Sequence, residues 1–144
     1  MKNEIKKKYM RKIHLFVLGV FLTGITLTSC HENLEERTAR ECKEYTEKYC
    51  PVPVAANVVS DSMVFERDTK TIHYYYTLNG PADTLLTGDP EKDLRKALLS
   101  DVINAPNLMH YKEAKYSFRY TYFSKKEKGK KLYDYLFTEK DYRQ

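Results

Sequence analysis

The sequence predicts an α+β domain in which two helices pack on one face of a four-stranded antiparallel sheet. Three observations predict it: two segments place apolar residues at helical spacing, two tyrosine-rich runs alternate as strands do, and polar turns separate the elements. The order along the chain is helix, strand, strand, helix, strand, strand. A sheet that carries its helices on one face is a stable two-layer architecture.

The first helix is predicted from about Asn33 to Tyr49. Pro51 and Pro53 follow it, and proline ends a helix because it lacks the backbone N–H donor and restricts the residue before it. Charged residues fill the sides that face water. One helical face is formed by residues at spacings of three and four, namely Leu34, Thr38, Cys42, Tyr45 and Tyr49.

Two strands are predicted next, from Val58 to Glu66 and from Thr71 to Leu78. The four polar residues 67–70 between them have the length of a hairpin turn. The second strand is rich in tyrosine, isoleucine and threonine, which favour a pleated sheet. Asn79-Gly80-Pro81 ends it, because this combination is typical of turns.

The second helix is predicted to begin near Pro90, since proline is accepted at the first helical position and Asp89 is a favourable N-cap. The tripeptide at 104–106, Asn-Ala-Pro, ends it. Its apolar stripe consists of Leu94, Leu98 and Val102.

The last two strands form a second predicted hairpin. Residues 114–124 alternate, with aromatic side chains on one face and polar ones on the other. A basic turn covers residues 125–131, and the last strand covers residues 132–138. The inward side chains of that strand are either Leu132 and Leu136, or Tyr133, Tyr135 and Phe137. This order of elements is loosely similar to the small cystatin-like and PepSY-like domains of bacterial envelopes, which implies a fold and no particular activity.

The first 29 residues have the layout of a secretory signal peptide. Residues 1–12 carry six basic side chains against one acid, and an apolar run follows from Ile13 to Leu27. That run, about 15 residues long, is shorter than the roughly 20 needed to cross a bilayer as a helix. An uncleaved transmembrane anchor is the alternative interpretation of the same run.

Leu27-Thr28-Ser29-Cys30 follows the apolar run and resembles the lipobox of bacterial lipoproteins. The resemblance covers residues 1–30 only. It implies that the Cys30 thiol receives a diacylglycerol, that a dedicated peptidase cleaves before Cys30, and that the new amine is often acylated. Two or three acyl chains anchor a protein stably, whereas one binds a membrane only marginally. Cys30 is therefore the predicted lipidation site, with membrane lipid as its partner.

Removal of the signal peptide at 1–29 would leave a lipidated cysteine with a short acidic tether at 30–36, followed by a single small α+β domain at 37–144. The signal peptide holds six of the 25 basic and one of the 20 acidic residues, so the remainder carries 19 of each. A neutral domain lacks the basic surface that nucleic-acid binding requires. The predicted location is the bacterial cell envelope, with the outer membrane favoured and either a periplasmic or a surface-facing orientation.

The sequence predicts no catalytic, metal-binding or cofactor-binding site. The histidines after the signal peptide, which are His31, His73 and His110, lack the spacing of a metal site, and no Cys-x-x-Cys is present. A nucleophilic pair such as Cys50 with His73 stays open as an alternative, because such pairs assemble in space.

Cys42 and Cys50 are predicted to be two separate thiols. They lie eight residues apart, which corresponds to about 12 Å along one helix, whereas a disulfide joins Cα atoms roughly 4.4–6.8 Å apart. A bridge would require the chain to leave the helix by about Thr46.

A partner-binding face is predicted from strand alternation. If the alternate tyrosines of these strands, such as Tyr74 and Tyr120, face the helices, then alternation sends the intervening side chains to the other side of the sheet. These are His73, Tyr75, Thr77, Arg119 and Thr121. An antiparallel sheet can leave one face to water, and tyrosine and arginine are enriched among interface anchors. We therefore expect an envelope protein to dock on that face.

These features favour a non-enzymatic binding module that is lipid-anchored in the envelope. The alternative is an inhibitor or immunity-type protein that blocks a hydrolase or toxin, and an uncharacterised enzyme is the third choice. Asp61-Ser62-Met63 and Asp83-Thr84-Leu85 resemble the three-residue O-glycosylation acceptor of some Gram-negative anaerobes.

Overall fold

The computed structural model describes residues 32–143; the predicted signal peptide, Cys30 and His31 lie outside this range. The helices are α1 Leu34–Tyr49, α2 Asp89–Asn104, α3 Met109–Glu113 and α4 Glu139–Tyr142. The strands are β1 Val52–Ala55, β2 Val58–Glu66, β3 Thr71–Leu78, β4 Ser117–Ser124 and β5 Lys131–Phe137. Two single 3₁₀ turns, Gly80–Ala82 and Pro106–Leu108, complete the chain.

The α+β class is confirmed, but the predicted four-stranded antiparallel sheet is corrected in two respects. The sheet has five strands in the order β1-β2-β3-β4-β5. It is also mixed, because β3 and β4 pair in parallel while the other neighbours are antiparallel. The physical reason is the crossover through α2, which returns the chain to the end of the sheet where β3 begins. There the N–H of Ser117 donates to the carbonyl of Lys70 at 3.0 Å.

The additional strand, β1, lies at the edge of the sheet and pairs only with the first residues of β2. It contains Pro53, which cannot donate to a neighbouring strand and is therefore tolerated at an edge. Because β1 is short, none of the strands within residues 32–143 lies beside the later part of β2 on that side.

Helix α1 takes the place of a neighbouring strand along that later part of β2. The helix begins after Asn33, whose side chain accepts the N–H of Glu36 at 2.8 Å. Further along, the Thr46 hydroxyl accepts the Met63 N–H and donates to the Met63 carbonyl, both at 2.9 Å. One side chain thus satisfies both polar backbone groups of an edge residue.

Helix α2 is joined to the short helices that the sequence analysis did not predict. The Lys112 ammonium of α3 donates to the carbonyls of Val102 and Ile103 at 2.9 and 2.6 Å, which caps the end of α2. Arg95 lies over the Phe137 ring at 5.3 Å and bonds Asp141 of α4 at 3.2 Å. The described part of the chain therefore has four helices rather than two.

All four helices contribute to one hydrophobic core on a single face of the sheet. The most deeply buried members include Cys42 of α1, Val102 of α2, and Phe118 and Phe137 of the last two strands. Among the alternatives for β5, the inward set is Tyr133, Tyr135 and Phe137. Leu136 is 48% exposed on the other face, and Leu132 is buried beside a register shift in the pairing of β4 with β5.

Both cysteines that the structure describes are free thiols, as their spacing predicts. Cys42 is 2% exposed within α1, and burial raises the pKa of its thiol to about 11. Cys50 follows the end of α1 and lies 3.8 Å from the Ser60 hydroxyl. Within residues 32–143, none of the helices has the length and apolar character to span a membrane.

Candidate functional site

The sheet face opposite the helices is the candidate site, and we call it the outer face. Strand alternation sends every second side chain to it. The paired strands place the following residues there: Val59, Ser62, Val64, Glu66, His73, Tyr75, Thr77, Arg119, Thr121, Phe123, Asp134 and Leu136.

A chain of hydrogen bonds crosses four strands of the outer face. His73 Nδ1 lies 2.6 Å from Glu66 Oε1, and His73 Nε2 lies 2.7 Å from the Thr121 hydroxyl. The Thr121 hydroxyl in turn lies 3.1 Å from Asp134 Oδ1. A carboxylate only accepts hydrogen bonds, so His73 Nδ1 carries a proton that it donates to Glu66. The His73 side chain is buried, with 4% exposed, and each of its ring nitrogens has a hydrogen-bond partner in this network.

Asp134 accepts more hydrogen bonds than any other described carboxylate of the outer face. The Arg119 guanidinium donates to both of its oxygens, from Nε at 2.8 Å and from Nη2 at 2.7 Å. Lys131 Nζ adds a third donor at 2.7 Å. The hydrogen bond from Arg119 is the largest cause that holds the pKa of Asp134 well below its usual range, and the same bond raises the pKa of Arg119.

An aromatic stack borders the network. The Tyr75 ring lies 3.9 Å from the His73 ring, centroid to centroid, and 6.5 Å from the Phe123 ring. Both pairs are stacked, so Tyr75 is held between two planar groups. Partial burial raises the pKa of Tyr75, so its hydroxyl stays protonated and can donate.

The network lacks the accessible nucleophile that a hydrolase active site needs. Glu66, His73 and Thr121 are spaced like an acid, a base and a hydroxyl nucleophile. However, Thr121 is only 3% exposed, and its hydroxyl also contacts Asp134. That oxygen is therefore barely accessible to a substrate carbonyl. Within residues 32–143, no three His, Cys, Asp or Glu side chains cluster as metal ligands.

The structure brings the three predicted site residues together. His73 and Tyr75 stack on β3, and Arg119 is the register partner of His73 on β4. Their role in binding a partner stays a prediction. His73 was expected to be exposed on this face, but its neighbours bury it.

Sequence reasoning missed two residues of the network, Glu66 and Asp134. Glu66 could have been found from the predicted hairpin, because it lies opposite Thr71 and so on the same face as His73. Asp134 could not, because its face depends on the register of β5, which the alternating pattern left open.

The family described as "Domain of unknown function (DUF8479)" matches residues 33–133. The chain belongs to this family. The match extends from the N-cap of α1 into β5, so the DUF8479 region contains every element of the sheet except the last residues of β5. No curated protein matches the sequence.

Three solved structures have a similar fold. A Pseudomonas aeruginosa protein described as a candidate secreted protein is 9% identical with a TM-score of 0.60, covering 77% of this chain and 98% of its own. The type 2 secretion system pilotin EpsS of Vibrio vulnificus is 10% identical with a TM-score of 0.58, covering 75% and 90%. The type II secretion system pilotin AspS of Vibrio cholerae is 16% identical with a TM-score of 0.54, covering 76% and 92%. At these identities the likeness shows the fold alone, and it is a fold found in secreted and secretion-system proteins.

Proposed function

We propose that the mature chain is a lipid-anchored, non-enzymatic binding module of the bacterial cell envelope, attached through Cys30 and docking a protein partner on the outer face. The fold shared with pilotins supports this interpretation, because pilotins are components of a secretion system by their own description. The proposed location is the outer membrane. The expected similarity to cystatin-like and PepSY-like domains stays a prediction.

The observation that carries the proposal is the pre-organisation of the outer face. Tyr75 is held by stacking and Arg119 by two hydrogen bonds, so neither loses much conformational freedom when a partner binds. Val64 and Leu136, which are 43% and 48% exposed, flank this polar centre with apolar surface. A catalytic role has less support, because the Thr121 hydroxyl is buried and already bonded.

The anchor is tested by Cys30→Ala. We expect this variant to incorporate no labelled fatty acid and to accumulate as uncleaved precursor, because the thiol that accepts the lipid is gone. Metabolic labelling followed by membrane fractionation measures both. A lipidated, membrane-bound mature species of the variant would refute the anchor.

The docking face is tested by Tyr75→Ala/Leu136→Ala, a double truncation on the outer face. We expect capture of the envelope partner from solubilised membranes to weaken by about 2 kcal/mol or more. The free energy of unfolding should fall by about 1–3 kcal/mol and leave the variant folded, because Tyr75 stacks on two rings. Quantitative capture and urea unfolding measure the two effects. The identity of the captured protein separates a binding module from an inhibitor of a hydrolase or toxin.

The matched control is Tyr49→Ala/Met109→Ala, which truncates a tyrosine and an apolar residue that are 61% and 58% exposed on the helices. It should leave capture unchanged. Loss of capture in the control with full capture in the outer-face variant would place docking on the helices instead.

A further inference from the structure

A cleft of about 590 Å³ lies at one end of the outer face, beside the turn that joins β4 to β5. Its lining includes the apolar residues Pro51, Val59 and Phe123, and Thr77 lies between Val59 and Phe123 in the sheet. Phe123 is also the end of the aromatic stack that contains Tyr75, so the cleft continues the outer face. Lys125 and Lys128 stand at its rim.

The turn beside this cleft carries more lysines than the nearby acidic side chains neutralise. Lys130 pairs with Glu127 at 2.5 Å and Lys131 pairs with Asp134 at 2.7 Å. By contrast, Lys125 and Lys128 have no ion pair within the described range, and the same holds for Lys126. One acid lines the cleft, Asp61, and its carboxylate already accepts a hydrogen bond from Thr77 at 2.7 Å. The ammonium groups at the rim are therefore free to pair with acids of another molecule.

The turn that carries these lysines is ordered by hydrogen bonds. The Asp83 carboxylate accepts the N–H of Lys126 at 2.7 Å. The Ser124 hydroxyl accepts the N–H of Glu127 at 2.9 Å. The lysines are thus presented from a fixed backbone, which lowers the entropy lost on binding.

The turn also lies at the end of the sheet remote from the start of α1. Lys70 pairs with Glu35 at 3.0 Å, so the β2–β3 turn lies beside the first residues of that helix. The N–H of Lys125 bonds the carbonyl of Leu78, at the opposite end of β3. The eight residues of β3 separate the two ends by about 23 Å. Glu35 is therefore too distant to neutralise the lysines of the turn.

We propose that this cleft binds an acidic segment of a protein partner, with an apolar side chain on Val59 and Phe123 and carboxylates paired with Lys125 and Lys128. The inference rests on the proposed function, because it names the chemistry of the segment that the partner would present. The lysines match acidic side chains in charge, and Val59 and Phe123 match a segment in which acidic and apolar residues alternate.

The test uses the protein purified from membranes in detergent and a fluorescein-labelled peptide of about ten residues in which aspartate and leucine alternate. Fluorescence anisotropy should show saturable binding that weakens as ionic strength rises, since exposed charges are screened. Lys125→Glu/Lys128→Glu should lower the affinity by about tenfold or more. Lys92→Glu/Lys96→Glu on α2 makes the same change in net charge and should leave the affinity within about twofold.

Three results would overturn the proposal. The first is equal binding of a peptide in which lysine and leucine alternate, and the second is an equal loss in both lysine variants. The third is lysine-dependent binding to phosphatidylglycerol vesicles without binding of the acidic peptide, which would assign the turn to lipid. If the peptide fails to bind while Tyr75→Ala/Leu136→Ala still weakens capture of the partner, the cleft proposal falls and the proposed function stands. If the peptide binds through Lys125 and Lys128 but Tyr75→Ala/Leu136→Ala leaves capture unchanged, the acidic-segment site stands. The proposal that a partner docks on Tyr75 and Leu136 is then wrong.

Discussion

Asp134 links side chains of β4 and β5 on the outer face through its hydrogen bonds. It accepts hydrogen bonds from Arg119, Thr121 and Lys131, and its side chain is 19% exposed. A partly buried carboxylate with several donors contributes more than a surface ion pair, because water screens it less and its partners would be left unpaired without it.

We predict that Asp134→Asn lowers the free energy of unfolding by about 1–3 kcal/mol at neutral pH. The lowered pKa of Asp134 means that the unfolded chain takes up the proton first as pH falls. The stabilisation is therefore complete above the ordinary aspartate pKa of about 3.9 and is lost as pH falls below it. The difference between wild type and variant should be constant from about pH 5 to 7 and shrink below about pH 4.

Urea unfolding at several pH values measures this dependence. Asp93→Asn is the control, because Asp93 is an exposed aspartate on α2 with its nearest lysine nitrogen 4.0 Å away. A difference for Asp134→Asn that does not change with pH would contradict the role assigned to its charge.

At the scale of elements, Thr46 is the contact that attaches α1 to the edge of the sheet. Thr46→Val keeps the shape of the side chain but leaves the Met63 N–H and carbonyl without their partner. We expect a loss of about 1–3 kcal/mol in the free energy of unfolding. Thr46→Ser keeps the hydroxyl and should lose less than about 1 kcal/mol. Equal losses in the two variants would show that packing of the methyl group, rather than the hydrogen bonds, holds the helix.

The elements that local pattern specifies were predicted well. The predicted bounds of β2 and β3 coincide with the observed ones, because the polar turn at 67–70 and the turn at Asn79 mark their ends. The parallel pairing of β3 with β4 was missed, since local alternation does not say which strands become neighbours. β1 was missed because Pro53 resembles a helix stop, and the sheet edge that tolerates it exists only in the folded molecule.

The candidate site was predicted only where it follows from local alternation along one strand. His73, Tyr75 and Arg119 share a face because side chains alternate along a strand, which is a local rule. The partners that bury His73 come from β2 and β4, and Asp134 comes from β5. Those contacts depend on strand order and register, so they appear only once the sheet is assembled.

At the scale of the whole molecule, the proposed anchor, the helices and the outer face have separate tasks. The described helices bury one side of the sheet, and we propose that a partner docks on the other side. The lysine-rich turn lies at the end of the sheet remote from the start of α1. This division requires that contacts with an envelope partner be made by the outer face and not by the helices.

The most direct measurement is photo-crosslinking in intact cells, with a benzoylphenylalanine placed at one exposed position at a time. Leu136 on the outer face and Met109 on α3 are 48% and 58% exposed, so the probe is accessible at both. The account predicts a discrete adduct with one envelope protein from position 136 and none from position 109. An adduct from position 109 alone, equal adducts from both, or no adduct from position 136 would contradict it.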